Sequence, residues 1–234
     1  MSGHSKWATT KRHKAVVDAK RGAAFTKIGN QIAIAARGGV DPGSNSALAM
    51  VLEKARQANM PKANIERALA RAADKSAADL IEETYEAYGP GGVGIIIEVA
   101  TDNKNRTMPE VRHTLEKNGG RMADPGSVMF QFARKGVIFV SAKSDEVVMA
   151  ALDAGAEDVV EEDDGMTIYA VAGDLAKVRE ALINGGFEVA SAELQYVPSS
   201  MVAVEGDVAA KVEKLLNAVD DLDDVVAVHT NAEM

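Results

Sequence analysis

Hydrophobic residues in the first third of the chain recur at steps of three and four positions, which is the spacing of an amphipathic helix. A first helix is predicted to end at paired glycines, a second to run from about 46 to 58, and a third to begin at Pro61, which suits a first turn. Residues 1–14 lack this period and predict an arm, and residues 73–79 predict a linker. Three amphipathic helices with short connections predict a small bundle. The stripe of the first helix comprises Phe25, Ile28, Ile32 and Ala36.

From residue 80 onward the pattern changes to a period of two, which is typical of strands. Strands are predicted at 83–88 and 93–101, around a GPGG turn, followed by a helix at 107–118 and a strand, SVMFQF, at 127–132. The elements that follow have the order βαββαβ of the ferredoxin-like unit. They are strands 136–142, 157–161, 166–172 and 187–196 with helices 145–154 and 174–185.

The C-terminal pattern predicts a strand at 201–204, a helix at 207–219 and a strand at 225–230. These strands need a sheet to join, and the simplest partner is the sheet formed by the residues just after 80. The ferredoxin-like unit would then interrupt that sheet as an insertion. The sequence therefore predicts an α+β fold with three domains. They are a basic helical N-terminal domain with arm and linker (1–79), a discontinuous α+β domain (80–133 plus 201–234) and an inserted ferredoxin-like domain (134–200).

The net charge of −9 conceals a strong asymmetry along the chain. Residues 1–75 hold 14 Lys and Arg against 5 Asp and Glu, a net of +9, whereas the remaining residues hold 12 against 30, a net of −18. Because like charges repel when they are gathered without a partner, we expect a polyanion to bind at the basic end. The candidate nucleic-acid-binding residues are Lys6, Trp7, Lys11, Arg12, His13, Lys14, Lys20, Arg21 and Lys27.

Trp7 lies among these cations and outside any helical stripe. An aromatic side chain in a basic segment can stack on an unpaired base, a contact worth ~1–3 kcal/mol. The alternative is that Trp7 folds back and caps the helical bundle. The sequence leaves both interpretations open.

A second polar cluster follows the predicted strand 93–101. Loops after strands often carry function, and these side chains have the chemistry to contact phosphate or RNA. As a plain polar turn with a helix cap at Thr107, the same segment needs no binding role. The cluster comprises Asn103, Lys104, Asn105, Arg106 and Arg112.

Two acidic runs have no calcium-loop spacing. The run at 161–165 is predicted to be a solvated hairpin tip. The run at 220–224 places carboxylates at the C-terminus of a predicted helix, where they oppose the helix dipole. We expect this second run either to be solvated or to face a basic partner.

Motifs for catalysis and cofactor binding are missing from the sequence. Gly89, Gly91 and Gly94 match the dinucleotide fingerprint in spacing, but a β-run follows them where the fingerprint requires a helix, so a hairpin turn is predicted. There is no nucleotide-binding loop of the GxxxxGK[ST] type, no serine nucleophile elbow, no zinc-type histidine spacing and no cysteine. We therefore expect no enzymatic activity, cofactor, metal or small-molecule substrate.

Apolar runs fall far short of the ~20 residues of a membrane helix, and no apolar segment follows the N-terminal charges as in a secretory signal. We expect a cytoplasmic protein that does not associate with membranes.

Long blocks of the chain resemble the YebC/PmpR family. They are MSGHSKWATTKRHKAVVDAKRGAAFTK at the N-terminus, QANMPKANIERAL (57–69), YEAYGPGGVGIIIEVATDNKNRTMPEVRHTLEKNGG (85–120), GSVMFQFARKGVI (126–138) and DLDDVVAVHTNAE (221–233). The sequence departs from relatives at 8–14 and after Arg71, where a glycine-rich connector is expected. The resemblance implies the same three domains and a function without catalysis.

Bacterial members of that family are described as DNA-binding transcriptional regulators, and others, including a mitochondrial relative, act in translation. The leading hypothesis is therefore a regulator that binds duplex DNA. A ribosome-associated translation factor that binds ribosomal RNA is the close alternative, because the bundle lacks clear helix-turn-helix spacing and Trp7 suits unpaired RNA. A metabolite-sensing module is a third class, since ferredoxin-like domains host many functions.

Overall fold

The computed structural model of the chain describes residues 18–73 and 80–234, with side chains from residue 22 onward. The helices are α1 (Asp18–Ala35), α2 (Ser46–Gln57), α3 (Lys62–Ala73), α4 (Lys104–Lys117), α5 (Asp145–Ala154), α6 (Leu175–Asn184) and α7 (Gly206–Asp220). The strands are β1 (Ile81–Tyr88), β2 (Gly94–Thr101), β3 (Arg121–Met122), β4 (Phe132–Val140), β5 (Asp158–Glu162), β6 (Gly165–Val171), β7 (Val189–Pro198), β8 (Val202–Ala203), β9 (Val225–Thr230) and β10 (Ala232–Glu233).

The three N-terminal helices pack around a shared apolar core, as their spacing predicts. Helix α1 continues into a 3₁₀ turn and stops at Gly39. The backbone φ of Gly39 is 130°, a value that residues other than glycine rarely adopt. Helix α2 begins after Asn45, whose side chain accepts a hydrogen bond from the backbone N–H of Leu48 at 3.1 Å. The buried residues of this core are Ile28, Ile32, Ala36, Leu48, Leu52, Ala55, Met60 and Ala68.

A four-stranded sheet in the order β3-β1-β2-β9 forms the centre of the same unit. Strands β1 and β2 form an antiparallel hairpin in which Tyr88 lies opposite Gly94, so the predicted hairpin turn at the glycines is confirmed. Strand β9 pairs antiparallel with β2 on its other edge. Because β2 lies between two strands and under helices, its isoleucines, Ile95, Ile96 and Ile97, are all completely buried. Helices α4 and α7 supply Val111, Leu115, Val212, Leu215, Leu216 and Val219 to this core.

Residues 132–197 form a second compact unit, separate from the described residues before and after them. Its antiparallel sheet has the order β5-β6-β4-β7, and helices α5 and α6 follow β4 and β6 in the chain. The element order βαββαβ is the predicted ferredoxin-like one. The acidic run at 161–165 lies at the tip of the β5–β6 hairpin, also as predicted.

The α+β class is confirmed, whereas several elements differ from prediction. The predicted strand at 127–132 is wrong, since residues Met129–Gln131 form a 3₁₀ turn and the strand begins at Phe132. The backbone of this turn is bound by the Glu86 carboxylate, an acceptor that lies far away in sequence. The boundaries of the three domains stay a prediction.

The C-terminal strands also differ. Strand β9 joins the main sheet, but the predicted strand at 201–204 does not: β8 pairs in parallel only with β10, with Val202 opposite Ala232. The chain turns after β9, where the Asn231 side chain accepts from Gly94 N–H at 2.7 Å and donates to Gln131 at 3.0 Å. This turn carries the last residues away from the main sheet.

Candidate nucleic-acid interface

The basic arm that the sequence singles out is not part of the described structure. Lys6, Trp7, Lys11, Arg12, His13 and Lys14 lie outside the described residues, and the side chains of Lys20 and Arg21 do as well. Their role in nucleic-acid binding, and the choice between stacking and capping for Trp7, stay predictions.

Lys27, the last member of the predicted basic face, contacts the acidic run at the end of α7. Its ammonium group donates to the backbone carbonyl of Asp220 and lies 3.7 Å from the carboxylate of the same residue. The Lys27 side chain is only 14% exposed. Lys27 is therefore already paired within the chain, whereas a lysine available to a phosphate would face solvent.

Asp224, in the same acidic run, accepts hydrogen bonds from three side chains at the end of β2 and in the first turn of α4. Its Oδ2 accepts hydrogen bonds from Thr107 at 2.5 Å, Arg106 at 2.8 Å and Thr101 at 3.1 Å. Burial alone would raise the pKa of Asp224, but these hydrogen bonds and the Arg106 charge outweigh it and lower the pKa below its ordinary value. Asp220 and Asp224 therefore both face basic partners, and those partners belong to this chain.

The second polar cluster has mainly internal contacts. Asn103, not Thr107, caps helix α4, by accepting from Arg106 N–H at 3.2 Å. The prediction of a cap at Thr107 is wrong because the Thr107 hydroxyl instead donates to Asp224. Lys104 pairs with Glu83, and Arg106 lies 3.0 Å from Asp102 as well as 2.8 Å from Asp224.

Asn105 and Arg112 are the exposed remainder of this cluster. Arg112 lies on α4, with its guanidinium 4.0 Å from the sulfur of Met108. The geometry thus favours the structural interpretation of the cluster for Asn103, Lys104 and Arg106, and leaves Asn105 and Arg112 facing solvent.

A groove of about 580 Å³ runs between α1 and α3, and sequence reasoning did not find it. Phe25 and Met60 provide apolar lining, while Arg67 and Arg71 line it from α3. The signal in the sequence is the four-residue spacing of the two arginines, which places them on one side of a helix. The remaining lining residues are Gly22, Thr26, Gly29, Asn30, Asn64, Ala68 and Ala70.

The arginines of this groove hold different kinds of partner. Arg67 donates to the Asn64 side chain at 3.4 Å, and Arg71 donates to Asn30 at 3.3 Å while lying 3.7 Å from Asp102. Arg67 is exposed and its partner is neutral, so its charge is available to an anion in the groove. Arg71 is half-buried and already balanced by a carboxylate.

Other cations of the helical region make surface pairs along their own helices. Arg56 lies 3.2 Å from Glu53, and Lys62 lies 3.5 Å from Glu66, with the two basic side chains 71% and 89% exposed. Exposed pairs of this type contribute at most about 1 kcal/mol, so a phosphate can replace the carboxylate at little cost.

Within residues 18–73 and 80–234, no group of three or more His, Asp or Glu side chains could hold a metal ion. Over the same part of the chain, no helix has the length and apolar character needed to cross a bilayer.

Comparisons with known proteins cover the whole chain. The sequence profile of the TACO1/YebC protein N-terminal domain matches residues 5–75, and that of the TACO1/YebC second and third domain matches residues 80–232. A probable transcriptional regulatory protein of Mycolicibacterium gilvum is 50% identical, with 100% of this chain and 96% of the relative aligned. One from Desulforamulus reducens is 46% identical, with 100% and 99% aligned.

A solved structure gives the same result at the level of the fold. The crystal structure of a conserved hypothetical protein from Aquifex aeolicus superposes with a TM-score of 0.87 at 41% sequence identity, covering 94% of this chain and 93% of that one. Two family profiles and relatives of nearly 50% identity over the full chain thus agree with the resemblance seen in the sequence, and this chain belongs to the TACO1/YebC family.

Proposed function

We propose that this protein is a DNA-binding transcriptional regulator that contacts phosphates through its basic N-terminal region and acts by binding, without catalysis. The observation that carries the proposal is the charge split, with a net of +9 in residues 1–75 and −18 in the rest. Each Lys or Arg that neutralises a phosphate releases a condensed counterion, which supplies most of the affinity for a polyanion. Full-length relatives named as probable transcriptional regulatory proteins support the choice of DNA.

The proposal places the first contacts on the arm and the start of α1. The residues are Lys6, Lys11, Arg12, His13, Lys14, Lys20 and Arg21. Exposed cations such as Arg67 and Lys62 extend the same charge over the bundle surface, because their partners are neutral or weakly bound. Lys27 joins this surface only if its contact with Asp220 opens, so we assign it a smaller share of the affinity.

Salt dependence tests this proposal. If about five phosphates are neutralised, the logarithm of the association constant for duplex DNA should fall against the logarithm of salt with a slope of roughly −4 to −5. Lys11→Ala should reduce the slope by about one unit for any DNA sequence. Lys211→Ala is the matched control, because Lys211 is an exposed lysine on α7 in the acidic part of the chain. A flat salt response, or equal effects of the two substitutions, would refute the proposal.

A second candidate function is an RNA-binding translation factor, and the position of Trp7 favours it. Trp7 is the only tryptophan and lies between Lys6 and Lys11. A duplex offers no open base face to an indole, whereas looped RNA does. Trp7→Ala should therefore weaken looped-RNA binding by roughly 10- to 100-fold under this reading, and duplex-DNA binding by less than about threefold. Crosslinking in cells followed by sequencing distinguishes promoter DNA from ribosomal RNA as the bound partner.

A further inference from the structure

Phe130 is the most exposed large hydrophobic side chain in the described residues, at 76%. Burying a phenylalanine typically stabilises a fold by about 1.5–3 kcal/mol, and this one remains in water. Its neighbours two positions away, Val128 and Phe132, are 0% and 8% exposed and occupy the inward positions. Phe130 is therefore directed outward by the turn in which it lies.

The turn that presents Phe130 is tightly held. The buried carboxylate of Glu86 accepts backbone hydrogen bonds from Gly126 at 2.5 Å, Val128 at 2.6 Å and Met129 at 2.7 Å. On the other side of Phe130, the carbonyl of Gln131 accepts from Ser199 at 2.7 Å. Hydrogen bonds to a charged acceptor are the strong class, so the aromatic ring projects from a fixed backbone.

A cleft tied to this turn carries a positive charge. It has a volume of about 390 Å³ and is lined by Tyr88, Arg121 and the glycines Gly89, Gly92, Gly119 and Gly120. The guanidinium of Arg121 lies 4.8 Å from the centroid of the Tyr88 ring, and the Tyr88 hydroxyl donates to the carbonyl of Ser127 at 2.8 Å. No carboxylate from the described residues lines the cleft.

A cleft lined by an arginine and by no carboxylate of the described residues is unusual in this part of the chain, which is acidic. Residues 80–131 and 198–234 together hold 7 Lys and Arg against 16 Asp and Glu. Phe130 lies three positions after Ser127, whose carbonyl accepts from the Tyr88 hydroxyl, so the turn and the cleft are joined through Tyr88. An exposed aromatic ring together with a stacked arginine and a carboxylate-free cleft is the chemistry that recognises unpaired nucleotides, with the ring stacking on a base and the guanidinium contacting phosphate.

We propose that Phe130 and Arg121 form a binding site for an unpaired nucleotide of single-stranded nucleic acid. The site lies on the α+β part of the chain and lies outside, in the sequence, the basic N-terminal region that we propose for duplex DNA. Phe130 stacks on the base, Arg121 contacts the phosphate, and Tyr88 holds Arg121 in place while it ties the cleft to the turn.

The test uses the full chain and three fluorescent probes of equal length: an oligouridine, an oligothymidine and a DNA duplex. Phe130→Ala should weaken binding of the single strands by about 5- to 100-fold and leave duplex binding within about twofold. Phe130→Trp should restore single-strand binding, because it restores a stacking face. Met149→Ala is the control, since Met149 is another exposed hydrophobic residue, at 60%, and lies outside this unit.

Arg121→Ala should weaken single-strand binding and reduce its salt slope by about 0.7 unit, the contribution of one phosphate contact in a single strand. A larger effect of Phe130→Ala on oligouridine than on oligothymidine would identify RNA as the occupant. Equal effects would identify single strands of either kind.

Equal losses for single strands and duplex, or unchanged single-strand binding by Phe130→Ala, would overturn the proposal. A change in oligomeric state of Phe130→Ala with unchanged affinities would also overturn it, because the ring would then serve a protein contact. The two proposals can be refuted independently. If Lys11→Ala leaves the salt slope for duplex DNA unchanged, the proposed duplex-DNA contact is wrong. If Phe130→Ala leaves the affinity for single strands unchanged, the proposed single-strand site is wrong.

Discussion

Replacement of Glu86 by Gln should destabilise the central sheet unit by about 3–5 kcal/mol. One carboxylate oxygen accepts from Gly126 and the other from Val128 and Met129. A glutamine can keep its oxygen toward Val128 and Met129, but its amide hydrogens then face the N–H of Gly126. One hydrogen bond to a charged acceptor, worth about 1.5–3 kcal/mol, is lost, and the other two become neutral ones worth about 1 kcal/mol less each.

Glu83→Gln is the matched control on the same strand. Glu83 pairs with Lys104 at the surface, with side chains 31% and 46% exposed, so its loss should cost less than about 1 kcal/mol. Because the chain has two compact units, amide hydrogen exchange is a better measurement than a single melting curve. The amides of Gly126, Val128 and Met129 should lose protection in Glu86→Gln and keep it in Glu83→Gln.

The same contact predicts a dependence on pH. Burial raises the pKa of Glu86, but the three backbone N–H groups outweigh it, so the pKa in the folded chain lies below its ordinary 4.5. The unfolded chain then binds more protons just below pH 4.5, and the stabilisation is complete above that pH and is lost as the pH falls through the folded-state pKa. Since Gln does not titrate, the difference in unfolding free energy between wild type and Glu86→Gln should narrow as the pH falls below about 4.5. A gap that stays constant or widens would refute this account.

Four further substitutions follow from the geometry. Asp224→Asn should lower stability by about 1–3 kcal/mol in denaturant unfolding, because it weakens the hydrogen bonds from Arg106 and Thr107; unchanged stability would show that the contact is not formed. Gly39→Ala should lower the free energy of unfolding by about 1–3 kcal/mol, because a backbone φ of 130° is strained for alanine. Gly22→Ala, inside α1 with open space around the added Cβ, should raise it by about 0.5–1 kcal/mol. Effects of the same sign would contradict this account. Asp220→Ala should raise duplex-DNA affinity by at most about twofold, because it removes the carboxylate 3.7 Å from Lys27 but keeps the backbone carbonyl that accepts from it; a larger gain would show that the carboxylate alone holds Lys27.

Local sequence patterns were sufficient to predict an element where its own spacing of hydrophobic residues decides which face is buried. The stripe through Ile28 and Ile32 predicted the inner face of α1, and the glycines before β2 predicted a hairpin. The turn at 129–131 was missed because the alternation of Val128, Phe130 and Phe132 looks like a strand face, while the backbone there is bound by Glu86, about 40 positions earlier.

For the candidate site too, local features could be predicted from the sequence and long-range contacts could not. Composition was enough to locate the basic region, because counting charged residues along the chain requires no knowledge of which residues contact one another. The pairing of Lys27 with Asp220, 193 positions away, was invisible in sequence, as was the cleft that joins Tyr88 to Arg121. The exposure of Phe130 is not visible in the sequence, because a hydrophobic side chain in an apolar run is ordinarily assigned to the core.

The pairing of β2 with β9 also determines when this protein can complete its fold during synthesis. Ile95 on β2 lies opposite Thr230 on β9, so the central sheet keeps an open edge until residues 225–230 have left the ribosome. The intervening segment 132–197 forms a compact unit of its own, so its internal contacts do not require β9. Closing so long a stretch is slow relative to local helix formation, and an open, apolar strand edge invites pairing between chains. A nascent chain that stops before β9 therefore leaves this edge of β2 permanently unpaired.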